Sequence, residues 1–199
     1  MVCLKVGHVG CSRIGAILAT GKGGAPSSTR KNYMSELICE RLTGKRSDHY
    51  TSKEMEWGTE NEPLARAAYE AKKGVLVEEH GGQECPGIPD WWGSPDGLIN
   101  TDGGIEIKCP NTATHIETLL TGKVSTDYIY QMAGYCYIFN RQWWDFVSFD
   151  PRLPDKLSIY IKRFKRDELP IDEVLKGVLQ FVKELKELLE KLKEIECQT

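Results

Sequence analysis

The chain has 199 residues, 40% hydrophobic and 28% charged, with a formal net charge of −3, which suits one globular domain, residues 1–199, with room for a proper core. No apolar run reaches the roughly 18 residues of a membrane span, and residues 1–7 lack the apolar stretch of a signal peptide. Seven cysteines without a Cys-x-x-Cys pair read as free thiols in a reducing cytoplasm, which excludes a disulfide framework and disfavours zinc.

The charge is unevenly spread. Through residue 53, Lys5, Arg13, Lys22, Arg30, Lys31, Arg41, Lys45, Arg46 and Lys53 outnumber Glu36, Glu40 and Asp48, so this segment carries +6 and the remainder −9. A basic segment on an acidic protein fits phosphate binding at one place, and also a plain solvated surface. Residues 1–53 read as a basic, helical N-terminal part, 54–165 as a catalytic core and 170–196 as a C-terminal amphipathic helix.

In chain order, residues 21–27 form a glycine-rich loop. Ser27 or Ser28 then caps a helix to about Leu42, with Tyr33, Leu37, Ile38 and Leu42 on its apolar side and Gly44 at its end. A second helix over 54–73 stops at Gly74. Residues 75–79 read as a strand, and 85–89 and 91–93 as short extended pieces. Residues 100–104 make a hairpin turn between the runs 94–98 and 104–109. A short helix over 112–120 and a longer aromatic one over 127–139 precede strands at 143–149 and 156–164, which are joined by a connector at 151–154. In the last strand Leu157, Ile159 and Ile161 alternate with Ser158, Tyr160 and Lys162. This order predicts an α/β (α+β) fold, a central mixed β-sheet flanked by helices. The final helix, about 171–195, carries Ile171, Val174, Val178, Phe181, Leu185, Leu188, Leu192 and Ile195 at steps of three and four, widened by Leu175, Leu179, Val182 and Leu189. A stripe this wide favours packing on the chain's own core or a subunit over docking another protein.

The chemistry concentrates at the hairpin. Glu106 and Lys108 are two residues apart on a strand and share a face, while Ile105 and Ile107 face the core. The turn brings Asp96 back toward Glu106. Two carboxylates beside an ammonium suit a hard cation, Mg²⁺ or Mn²⁺, which acidifies water and offsets charge on a phosphate. Lys108 can orient or deprotonate an attacking water, or offset the charge of the pentavalent state. Alone, the triplet also reads as a surface hairpin with scattered charges. Asp90, after Pro89, lies outside the hairpin and ranks below Asp96. Glu62 opens the 54–73 helix within W-G-T-E-N-E-P-L-A-R, where an i,i+4 ion pair with Arg66 is the simpler reading. Gln131, in Y-I-Y-Q, can hold the nucleophilic water or be an ordinary exposed glutamine.

Taken in order, W-G-x-x-x-E-x-x-A-R, S-P-D-G, E-x-K and Y-x-x-Q resemble the YqaJ-like viral recombinase family, which includes phage lambda exonuclease and belongs to the PD-(D/E)XK nucleases. The resemblance runs from about Lys5 to Pro154. It implies a restriction-endonuclease-like core in which Asp96, Glu106 and the backbone carbonyl of Ile107 hold metal, two Mg²⁺ ions or Mn²⁺ in their place. Lys108 would be the catalytic lysine, Glu62 the acid of the first motif, and Gln131 the support for the water. Ser12 matches a serine that binds the terminal 5′-phosphate together with an arginine seven residues before it. Lys5 stands at that arginine position and supplies a point charge in place of a fork. Arg13, Lys22, Arg30 and Lys31 would share in backbone binding. The family's N-terminal lead is expected to be short or missing.

The resemblance therefore implies a Mg²⁺-dependent 5′-to-3′ exonuclease on linear double-stranded DNA. It would leave 3′ overhangs for a single-strand annealing protein, work as a homotrimeric ring without a membrane, and use the C-terminal helix as ring contact or docking site. Three alternatives stand beside it. One is a PD-(D/E)XK endonuclease. Another is an iron–sulfur relative linked to CRISPR adaptation, disfavoured by the lack of clustered C-terminal cysteines. The third is a non-catalytic DNA-binding or scaffold protein, disfavoured because every acidic position and Lys108 is present.

Overall fold

The structure is a computed structural model that describes residues 6–46 and 52–198. Strand β1 (Val9–Gly10) leads through a 3₁₀ turn (Cys11–Arg13) into α1 (Ile14–Leu18) and then α2 (Ser28–Thr43). The Ser27 hydroxyl accepts the Arg30 N–H at 3.1 Å. Gly44 closes the helix in the left-handed region at φ 65°, its N–H bonding the Glu40 carbonyl, a conformation that glycine alone adopts cheaply. Helix α3 (Lys53–Lys73) is capped in the same way by Ser52 and Gly74. Next come β2 (Gln83–Glu84), β3 (Trp91–Gly93), β4 (Gly97–Ile99), β5 (Gly103–Lys108), α4 (Thr112–Thr121) and α5 (Thr126–Ile138). Strands β6 (Trp143–Phe149) and β7 (Ile159–Lys165) and the long α6 (Ile171–Gln198) complete the fold.

The fold is mixed α/β. Four strands run in the order β4-β5-β6-β7, with the central β5-β6 pair parallel and the flanking pairs antiparallel. A second small sheet, β1-β3-β2, lies apart from it, so the strands form two sheets where one was expected. Within 75–79 the sheet contact is a single bridge, Glu78 to Leu98. Residues 85–89 turn instead of extending, β7 begins only at Ile159, and the N-terminal part contains a strand as well as helices. Gly103 and Gly104 belong to β5 and not to the turn. A Cβ on Gly104 would collide with the Trp144 ring and one on Gly103 with the Trp143 ring, so β6 lays its tryptophans on bare backbone.

The sheet is covered on both faces. Ile105, Ile107, Val147 and Phe149 pack with Ala65 and Tyr69 of α3. Trp144 and Phe146 join Met132 and Tyr135 of α5, Phe181 of α6 and Tyr33 of α2 in the larger core. The period-two alternation of β5 and β6 sorts these two sets. Helix α6 buries Val174, Val178, Phe181, Val182, Leu185 and Leu189 and leaves Leu188, Leu192 and Ile195 exposed. Each such burial contributes roughly 1.5–3 kcal/mol. Most of its stripe therefore packs on the chain's own core, as its width suggested. Among the described residues no helix is long and apolar enough to cross a membrane, and the six described cysteines are free.

Candidate active site

The hairpin brings its acids together. Gly97 faces Ile105 across the ladder, and Asp96, one residue earlier, accepts the Ile107 N–H on Oδ2 at 2.6 Å. In extended backbone the N–H and C=O of one residue point to the same neighbour. The Ile107 carbonyl therefore points to the Asp96 side, beyond the end of β4. Glu106 lies on the opposite face of β5 with 0% exposure. Lys108 Nζ is 2.5 Å from its Oε1, a close ion pair. Apart from Lys108, no donor among the described residues reaches either Glu106 oxygen. Lys108 Nζ also sits 5.1 Å over the Tyr128 ring, which stacks on Phe146.

The electrostatics follow from this burial. Loss of water, then the charge of Asp96, pushes the Glu106 carboxyl up to about 8. Burial also raises Asp96, against the pull of Lys108 and the Ile107 N–H. For Lys108 burial works to lower the pKa, but the Glu106 and Asp96 carboxylates outweigh it and hold the ammonium above the usual lysine range. Glu62 is half-buried. Burial and then Asp96 raise its pKa, while Arg66 and Lys108 lower it, which places it beside the same cluster. The expected helical pair also forms: Arg66 binds Glu62 at 2.8 Å and Glu79 at 2.6 Å.

Gln131 is buried, not surface-exposed. Its Nε2 donates to the Tyr135 hydroxyl at 2.9 Å, and that hydroxyl donates to the Ser94 carbonyl at 2.8 Å. Tyr135 thus ties α5 to the segment leading into Asp96. The sequence reading gave Tyr135 no role, although the i,i+4 spacing from Gln131 was available as a signal.

The basic residues divide. Ser12 is exposed in the turn after β1 and, with Arg13, Tyr33 and Arg46, lines a cavity of about 250 Å³. Arg13 pairs with Glu36 at 3.1 Å and lies 4.3 Å over Tyr33. Cys11, in the same turn, has its thiol raised well above the ordinary value, chiefly by burial. Lys22 and Lys31 are exposed. Arg30 is engaged internally, with Glu184 at 2.8 Å, the Ile17 carbonyl at 3.1 Å and the Phe181 ring at 5.0 Å. Lys5 lies outside the described residues.

The donor set fits a hard divalent cation. Asp96 and Glu106 offer carboxylate oxygens, and the buried Glu106 oxygens have only the Lys108 ammonium beside them among the described residues, which leaves lone pairs open to a metal. A second grouping, His8, Glu84 and Asp90, has ligand atoms within 4.8 Å of one another. There, however, Arg41 and Lys186 each lie 3.2 Å from Asp90 and already balance its charge. The acids around Glu106 are the better metal candidate.

Residues 3–142 match the YqaJ-like viral recombinase domain. Among solved structures, an alkaline exonuclease from Laribacter hongkongensis is 43% identical with a TM-score of 0.89, covering 98% of this chain and 95% of that one. The same exonuclease in complex with dAMP is 42% identical with a TM-score of 0.90, over the same shares. A phage related exonuclease from Haemophilus somnus 129PT, 19% identical, shares the fold with a TM-score of 0.72 over 93% of this chain and 96% of its own. No curated protein matches. With 140 of 199 residues in that match and a 43% identical alkaline exonuclease along nearly its whole length, the chain belongs to the YqaJ-like viral recombinase family.

Proposed function

We propose that this protein is a divalent-metal-dependent exonuclease that removes nucleotides from the 5′ end of one strand of linear double-stranded DNA, leaving a 3′ overhang. The observation that carries the reading is the buried Glu106 carboxylate between Asp96 and Lys108, with no hydrogen-bond donor other than that lysine among the described residues. The alkaline exonuclease relative, and its complex with dAMP, support a DNA end as substrate and a nucleoside monophosphate as product. Asp96, Glu106 and the Ile107 carbonyl would hold Mg²⁺, two ions with Mn²⁺ as substitute. A cation bound there would supply acidified water and offset charge on the scissile phosphate.

The chain's own groups do the rest. Lys108 is held protonated by its two carboxylates, so it orients the attacking water and offsets charge on the phosphate instead of acting as base. Glu62, fixed by Arg66, adds a third carboxylate at the rim, and Gln131, fixed by Tyr135, holds the water's position. Ser12, Arg13 and Lys5 would bind the terminal 5′-phosphate, with Lys22 and Lys31 along the backbone and Arg30 bracing α6 behind them. A homotrimeric ring, a single-strand annealing protein as partner and a cytoplasmic setting complete the proposal. The exposed Leu188, Leu192 and Ile195 are the natural ring or partner contact.

Digestion of linear duplex carrying a 5′-phosphate or a 5′-hydroxyl, with Mg²⁺ or EDTA, tests it. Mononucleotide release that needs Mg²⁺ and is faster on the 5′-phosphate is the expected result. Cutting of closed circular DNA would point to an endonuclease instead. Full activity of Lys108→Ala or Asp96→Ala would overturn the site.

A further inference from the structure

We propose that Trp57 and Arg152 form a second DNA-binding subsite, which takes a phosphodiester of the cleaved strand about one or two nucleotides from the bond that is cut; the proposal rests on the reading of the site as a DNA nuclease. Arg152 is held rigid. Its guanidinium lies 4.3 Å over the Trp57 ring. Its Nε and Nη2 donate to Asp150 at 2.7 and 2.9 Å, and its Nη2 also reaches the Pro110 carbonyl at 3.5 Å. Asp150 is itself fully buried and takes a further bond from Thr112 at 2.7 Å. The indole lies against one face and the carboxylate along one edge, and the side chain is still 47% exposed. Among the described residues Nη1 makes no hydrogen bond.

A clamp for the loop after β6 explains the Asp150 edge. It does not explain why a flat cation is stacked on tryptophan and still about half exposed. An arginine fixed in this way has already lost its rotamer freedom and presents donors in the geometry of a phosphate.

The position fits a nucleic-acid strand. Strands β5 and β6 run parallel, with Lys108 beside Ser148, and Pro110 and Asp150 each lie two residues further along. Ligands gather at the carboxyl ends of parallel strands. Two extended residues span roughly 7 Å, about two base steps along a DNA strand. Trp57 stands five residues before Glu62 on α3, so its helix borders the same cleft. A strand crossing Lys108 along this edge meets Arg152 next. A phosphate contact carries no sequence preference, as an exonuclease requires.

The test measures binding without cleavage. In the Lys108→Ala background, fluorescence anisotropy reads the affinity for 5′-phosphorylated duplex across a salt series. Arg152→Gln should weaken binding severalfold on every sequence and lower the slope of log K against log salt by about one. The double variant Asp150→Asn/Arg152→Gln replaces the ion pair by a neutral amide pair, so no lone buried carboxylate confounds the fold. It should show the same loss of slope with a native circular dichroism spectrum. Trp57→Phe keeps an aromatic platform and should retain the wild-type slope. An unchanged slope in the folded double variant overturns the subsite and leaves the nuclease reading standing. A Lys108→Ala protein that binds no duplex overturns both.

Discussion

Glu106 on β5 and Asp150 just past β6 are both carboxylates with 0% exposure, and they sit at opposite electrostatic extremes. Burial works to raise Asp150, but Arg152, Thr112 and a backbone N–H outweigh it and hold the group at about 2. Burial, then Asp96, drives Glu106 to about 8, and Lys108 offsets only part of this. A buried charge is tolerated when hydrogen-bonded and paired, and is expensive otherwise. Asp150 is therefore complete within the chain, whereas Glu106, with Lys108 alone beside it among the described residues, keeps room for a cation. Unfinished electrostatics of this kind mark where a fold has been shaped for chemistry.

The largest expected effect separates the two sites by activity. Asp96→Asn, Glu106→Gln and Lys108→Ala should each lower nucleotide release by about 10²–10³-fold, near 3–4 kcal/mol of barrier. Mg²⁺-dependent digestion of linear duplex reads the loss, and activity within threefold of wild type in any of them would break the comparison.

Metal should then stabilise the fold through Glu106. At about 100 times its Kd a cation adds about 2.7 kcal/mol, and more at pH 9 than at pH 6, where Glu106 still holds a proton that must leave first. Thermal melts with and without Mg²⁺ check this. Equal shifts at both pH values, or an undiminished shift in Glu106→Gln, would count against it.

Without metal the two acids should have opposite signs. The folded pKa of Glu106 is raised, so its contribution is fully present below the unfolded value near 4.3 and is lost as pH rises through about 8. The folded pKa of Asp150 is depressed, so its contribution is present above the unfolded value near 3.9 and is lost as pH falls through about 2. At pH 9 and without metal, Glu106→Gln should raise the melting temperature, while Asp150→Asn should lower stability by about 1–3 kcal/mol. Urea melts of the two variants decide it, and the same sign for both would erase the contrast.

Smaller effects sharpen the picture. Tyr135→Phe loses the bond to the Ser94 carbonyl and should cost about 1 kcal/mol, with a few-fold drop in kcat and little change in KM. Leu192→Glu, at an exposed position on α6, should move the stability of one subunit by no more than about 0.5 kcal/mol. Sedimentation of that variant reports whether the proposed ring uses this face.

Much of the molecule was legible from sequence. Ser27, Gly44, Gly74 and the aromatic helix announced α2, α3 and α5 because caps and apolar periodicity act within a few residues. The site motifs were readable for the same reason: Glu106 and Lys108 are neighbours on one strand, and the turn returns Asp96 to them. The second sheet was not legible, since β1 and β2 are two-residue strands whose only reason to pair is β3 between them. Gly103 and Gly104 looked like turn residues because nothing local shows that Trp143 and Trp144 will cover them.

Sequence alone thus determined which groups stand together as the candidate site and in what order, because strand alternation and helix spacing are local rules. Tertiary structure alone decided their state. Glu106 is stripped of water and set against Lys108, Gln131 is buried against Tyr135, and Arg30 is drawn to Glu184, 154 residues away. Burial and long-range pairing depend on which distant surfaces close over a residue, and those surfaces set whether a carboxylate is a finished ion pair or a place for a metal.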